Sequence, residues 1–183
     1  MTLKRLVPFV LIGLVTVAVG EWQFSVFIRG DLANFWGSVF FNTVYLLFAA
    51  VIAGWIARRM GSGTRTLLVL AGLAGLAGLG VEWFLIGNSP WGNPAANQPG
   101  MFAYWACMVV VPWILTTSDP RLGKLKRTML AYGIVCTAIA CLVQLLPNAD
   151  VRFVLHIWLV ILGYLGLLVL SLGGYAATVK SKI

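Results

Sequence analysis

Residues 66–87 read TLLVLAGLAGLAGLGVEWFLIG, a run with one ionisable group, Glu82, and no proline. A helix rises 1.5 Å per residue and needs about 20 mostly apolar residues to cross the hydrocarbon core of a bilayer. The run is continuous rather than alternating, which excludes the strand of a membrane barrel. Gly or Ala recurs at three- and four-residue spacing from Ala71 to Gly80. In lipid, packing rather than water exclusion drives helix association, and small residues let a second backbone approach closely. The stretch reads as a tightly packed membrane-spanning helix.

Five further stretches meet the same criterion, over residues 6–27, 39–57, 101–117, 128–146 and 153–177. The expected fold class is all-α, a polytopic six-transmembrane-helix bundle forming a single transmembrane domain over residues 1–183. Composition agrees. Of the 183 residues, 61% are hydrophobic and 10% charged, against about 25% charged in a soluble domain. Pro112 falls inside the fourth span, where it is expected to kink the helix.

The net charge is +8, yet the basic residues share no face and form no basic domain, so nucleic acid is not an expected partner. They mark orientation instead. Lys4 and Arg5 precede the first span; Arg58, Arg59 and Arg65 lie between the second and third. Arg121, Lys124, Lys126 and Arg127 lie between the fourth and fifth, and Lys180 and Lys182 follow the sixth. Only Arg29 and Arg152 fall on the other side. Basic residues are retained on the cytoplasmic side during insertion, so both termini are expected in the cytoplasm (N-in, C-in) of a plasma (inner) membrane. A rival reading takes Lys4, Arg5 and the following apolar run as a signal peptide with a loose cleavage site at residues 17–20. The apolar character continues through Trp22, Phe24, Val26 and Phe27, which favours a retained span.

Polar residues that need an explanation gather toward the outer side. The two glutamates, Glu21 and Glu82, are each followed by Trp, at Trp22 and Trp83. Both lie near the outer end of an outward-running helix, at similar depth. Glu82 follows Gly78 by four positions and Gly75 by seven, so it shares the packing face and should point into the bundle. An intramembrane carboxylate is a functional candidate by default; the alternative is an interfacial group paired with Arg29 or Arg152. The segment 88–100, NSPWGNPAANQPG, is uncharged and rich in turn formers. It suggests an ordered cap, with Asn88, Trp91, Asn93, Asn97 and Gln98 as candidate ligand-binding groups beside Trp83 and Trp105. Tyr104 enters the fourth span just after it. His156, the single histidine, begins the sixth span, with Gln144 available in the same layer. Interfacial hydrogen bonding is the preferred role for His156 over a proton relay.

Cys107, Cys136 and Cys141 sit inside apolar spans with no C-x-x-C pair and no Cys/His cluster. Neither a metal site nor a redox motif is indicated. The sequence holds no P-loop, no G-x-G-x-x-G, no G-x-S-x-G, no H-E-x-x-H and no His pair for haem, so no cofactor is expected. The short basic loops look like anchors for membrane lipid headgroups.

Three functions fit these features. The first is binding or transport of a small amphipathic or hydrophobic molecule in an outer-face polar and aromatic pocket around Glu82. Six helices are few for a transporter, so a homodimer is expected in that case. The second is an enzyme acting on a lipid or isoprenoid, with Glu21 and Glu82 as acid and base and Tyr104 and His156 assisting. The third is a non-catalytic subunit of a larger membrane complex that docks through the glycine-rich third helix.

Overall fold

The computed structural model describes residues 3–93 and 96–180. Pro94, Ala95 and Lys182 lie outside them, as does the side chain of Lys180. Among the described residues, six helices are long and apolar enough to cross a membrane, and no strand occurs. The chain is a multi-pass helical membrane protein.

Helix starts are set by local caps rather than by hydropathy. α1 covers Leu3–Glu21. α2 covers Leu32–Met60, beginning where the Asp31 carboxylate accepts the Asn34 backbone N–H at 2.8 Å. The apolar run alone placed that start seven residues later, at 39. Orphan N–H groups at a helix start take such short polar acceptors, and these lie outside the hydrocarbon depth that hydropathy reads. The same cause moves other boundaries. α4, Gln98–Leu115, starts where Asn97 Oδ1 accepts the Gly100 N–H at 2.6 Å. α6, Ala149–Lys180, starts where Asn148 Oδ1 accepts the Val151 N–H at 3.0 Å. α5, Gly123–Val143, follows a 3-10 turn over Pro120–Leu122 whose first N–H groups are capped by Asp119. α3 covers Thr64–Val81.

α1 and α3 both change character at their Glu-Trp dipeptide. α1 continues as π-helix over Trp22–Ile28, and α3 over Glu82–Ile86. Soon afterwards comes a left-handed glycine, Gly30 (φ 68°) or Gly87 (φ 88°), a conformation that costs glycine nothing. π-Turns are rare and tend to occur where a helix is adapted to a site.

Short connections run sequential helices in opposite directions, so residues 3 and 180 lie at the same end as the basic clusters at 58–65 and 121–127. Contacts there bear this out. Arg5 donates to Trp113 O (3.1 Å), Thr116 Oγ1 (3.2 Å) and Thr117 Oγ1 (2.7 Å) at the end of α4, with its guanidinium 4.2 Å from the Trp113 ring centroid. A cation at a helix C-terminus meets the carbonyls left unbonded there. Tyr175 of α6 donates to Ser62 O between α2 and α3.

α4 is the central helix. Its span is 61% buried, against 17% for α5. It packs against α3, α6 and α1, and its core includes Ala103, Ala106, Cys107, Val110 and Trp113. The expected close approach of α3 is present: Gly75 lies against Phe102 and Gly78 against Trp105. Pro112 lies within α4 without ending it. Gly13 of α1 packs against the Met108 carbonyl, the acceptor that an amide at position 112 would ordinarily bond. α5 is peripheral and packs principally on α6.

Candidate functional site

The end of the bundle opposite the basic clusters carries a layer of polar side chains organised by two consecutive residues of α4. Tyr104 donates its hydroxyl to Glu21 Oε1 at 2.8 Å, and Trp105 donates its indole N–H to Glu82 Oε1 at 3.1 Å. Successive helical residues point about 100° apart, so α4 holds one glutamate on each of two faces. Ser25 donates to Glu21 Oε2 at 3.1 Å and itself accepts from Asn34 Nδ2 at 2.7 Å. Asn88 donates to Glu82 Oε2 at 2.8 Å. Both glutamates therefore have a hydrogen-bond partner on each carboxylate oxygen. Among the described residues the ion pair is Arg121–Asp119, and neither glutamate takes part in it. Arg29 instead stacks on Phe24, and Arg152 donates to Leu146 O at 3.1 Å.

Glu82 is buried and turned toward α4, as the Gly75–Gly78–Glu82 spacing indicated. The described residues of the segment after it are tied together by hydrogen bonds. Trp83 Nε1 donates to Gln98 Oε1 at 2.7 Å, and Gln98 Nε2 donates to Asn88 O at 3.0 Å. Asn93 reaches Asn88 Oδ1 at 3.4 Å. Asn97 spends its side chain on the α4 cap. Trp91 stands edge-on to Trp83 with ring centroids 5.6 Å apart, and it is 80% exposed. His156 is fully buried, its Nε2 3.0 Å from Gln144 Oε1 and its ring 5.2 Å from that of Phe27.

The structure thus gathers Glu82, Trp83, Asn88, Asn93, Gln98 and Trp105 into one network, and joins Glu21 to it through Tyr104. His156 lies apart, against the π-helical extension of α1.

Beside this layer runs an apolar cleft of about 490 Å³ between α1 on one side and α5 and α6 on the other. It exists because α5 leans on α6 and leaves α1 largely uncovered. Ile12, Val15 and Val19 form one wall, and Met129, Gly133, Leu159, Gly163 and Leu167 lie opposite. A second cavity of about 280 Å³ continues from it past Trp22, Phe27 and Phe35, sharing Val15, Val19, Gln23, Thr137 and Cys141. Neither cavity is walled by Glu82 or by the described side chains of residues 88–100. The hydroxyls in the larger cleft are spent on backbone carbonyls: Thr16 on Ile12, Thr137 on Gly133, Tyr132 on Leu162 and Tyr164 on Thr16. Gln23 differs. It is 7% exposed, lines both cavities, and its Oε1 has no partner. Sequence reasoning missed Gln23 and Ser25, since one amide or hydroxyl in an apolar run sets up no periodicity.

Cleft and carboxylate layer meet at a pair of tyrosines. Tyr164 lines the cleft and meets Tyr104 edge-on at 5.0 Å, and Tyr104 holds Glu21. No family model matches the chain, and comparison with curated proteins and with solved structures finds no match either.

Proposed function

We propose that the protein lies in the plasma (inner) membrane with both termini cytoplasmic, and that it binds a small hydrophobic or amphipathic molecule entering sideways from the bilayer. The observation that carries this reading is the apolar cleft between α1 and α5/α6, with the buried Gln23 side chain on its wall. Ligand sites are concave, mostly apolar and furnished with a few placed polar groups. A buried amide oxygen without a donor costs free energy in hydrocarbon, and leucine at that position would avoid the cost. Its place on the wall of both cavities fits a site better than a scaffold. Glu21, Glu82 and the 88–100 turn form the outer rim. They fix the ends of α1, α3 and α4, and through Tyr104 and Tyr164 they set the position of one cleft wall. The enzymatic alternative finds less support, because each glutamate oxygen already accepts a hydrogen bond from the protein's own side chains.

Gly133 and Gly163 give a direct test. Both line the cleft, and a Cβ built on either meets nothing within 4 Å. Gly133→Leu with Gly163→Leu should fill the cleft while leaving the fold intact. In nanodiscs, a hexadecanol bearing a diazirine in its tail should label peptides 12–23 and 129–141 of the wild-type protein. The filled variant should lose most of that labelling. Labelling spread evenly around the lipid-facing perimeter, unchanged by filling, would remove the proposal.

A further inference from the structure

We infer that the molecule taken by this cleft is an anionic amphiphile, a single chain ending in a phosphate or carboxylate, whose head is held at the basic end of the bundle by Arg127 and Lys124 of α5. The inference rests on the cleft being the binding site and adds the charge and orientation of its ligand. Four cations crowd residues 121–127, and two of them are spent within the protein. Arg121 donates from Nε and Nη2 to the Asp119 carboxylate, and Lys126 donates to Thr117 O. Lys124 and Arg127 are exposed, and among the described residues neither side chain has a hydrogen-bond or ion-pair partner. Of the five acidic side chains, Glu21, Asp31, Glu82 and Asp150 lie toward the opposite end of the bundle, and Asp119 is turned to Arg121. The charge of Lys124 and Arg127 is left for an anion from outside the chain.

Arg127 stands at the foot of the cleft. Leu130 and Ile134 follow it by three and seven positions and so share its helical face. Both line the cleft, and at 53% and 69% exposed they form its open side. Along the axis Arg127 lies about 4.5 Å from Leu130, at 1.5 Å per residue, and Lys124 lies one turn further out on the same helix. A guanidinium matches a phosphate or carboxylate with paired N–H donors. The length also fits. From Met129 to Cys141 the α5 wall extends about 18 Å, and one leaflet supplies half of a hydrocarbon core of roughly 30 Å. A chain from the leaflet at the basic end, with its head level with Arg127, therefore runs along most of the cleft. The cleft is too apolar along that length to hold a polar solute.

The experiment is competition against the diazirine-bearing hexadecanol in phosphatidylcholine nanodiscs, using unlabelled hexadecyl phosphate, palmitate and hexadecanol, which share one chain length and differ in the head. A basic residue near the bilayer surface favours an anionic lipid by about fivefold. With two such residues the favoured anion should compete about twentyfold better than hexadecanol, and the better of the two anions identifies the head. Arg127→Gln should cut that preference about fivefold, and adding Lys124→Gln should remove it, while the hydrocarbon chain still labels the cleft. Arg127→Lys should keep most of it. Arg58→Gln with Arg59→Gln removes the same charge from the same end, but on α2, which gives the larger cleft no residue; this pair should leave the preference in place. If neither anion competes better than hexadecanol, or if the Arg58/Arg59 pair lowers the preference as much as the Lys124/Arg127 pair, the head-group inference is wrong even though the cleft still binds. If filling Gly133 and Gly163 leaves labelling untouched, the cleft itself is not the site, and the two failures are told apart.

Discussion

Glu82 gives each of its oxygens to a different element, one to the Trp105 indole on α4 and one to the Asn88 amide in the turn. That makes it a latch between α3, α4 and the 88–100 segment. Side-chain hydrogen bonds inside membranes contribute modestly because the unfolded chain finds other partners. A double-mutant cycle of Glu82→Gln and Trp105→Phe, followed by denaturant unfolding in micelles, should give a coupling of about 1–2 kcal/mol. Each single variant should still insert normally. Independent, additive losses would mean that the contact at 3.1 Å does not hold α3 to α4. The inward direction of Glu82 was legible in the sequence, because Gly75 and Gly78 mark the packing face and helical geometry carries that face to position 82. Gln23 was not legible. Its meaning depends on a gap between α1 and α5, which lie more than a hundred positions apart, and nothing local in the sequence encodes where α5 comes to rest.

In α3 the glycines are not interchangeable. A Cβ at Gly78 would come within 1.9 Å of Trp105 Cγ and 2.3 Å of its Cβ, whereas at Gly80 it would meet nothing within 4 Å. The inner part of the Trp105 side chain cannot swing clear, so Gly78→Ala must push α3 off α4 or turn the indole away from Glu82. The expected cost is about 1–3 kcal/mol, the usual penalty of overpacking. Gly80→Ala should instead be neutral or stabilise by up to about 1 kcal/mol, since alanine has the higher helix propensity. Thermal unfolding midpoints of the two variants in detergent check this. Equal shifts would show that the helices are not in such close contact. The repeat of small residues announced a packing helix, but which of its glycines touch a neighbour became apparent only with the partner helix in place. The π-turns were likewise hidden. The paired Glu-Trp dipeptides hinted that two helix ends were related, and the structure gives that relation physical content: each dipeptide marks the change from α to π geometry, and each glutamate is held by α4.

The number of spans follows from hydropathy alone, because the bilayer imposes the same length on every crossing segment. The order of the helices in space does not. α4 is the shortest span, with the lowest hydropathy of the six, and still the most buried, since lipid and protein interior are about equally apolar and hydropathy does not separate them. The distribution of charge is the basis of the proposed orientation. The carboxylate layer sits at one end of the bundle, and the clusters around Arg58, Arg59 and Arg121–Arg127 at the other. If basic segments stay in the cytoplasm, the polar layer faces outward. Alkaline phosphatase fused after Ala95 should therefore be active, and the same fusion after Lys124 inactive. A fluorescent protein that matures only in the cytoplasm should give the opposite pair at those positions. An inactive phosphatase at Ala95 together with an active one at Lys124 would invert the bundle. The carboxylate layer around Glu21 and Glu82 would then face the cytoplasm.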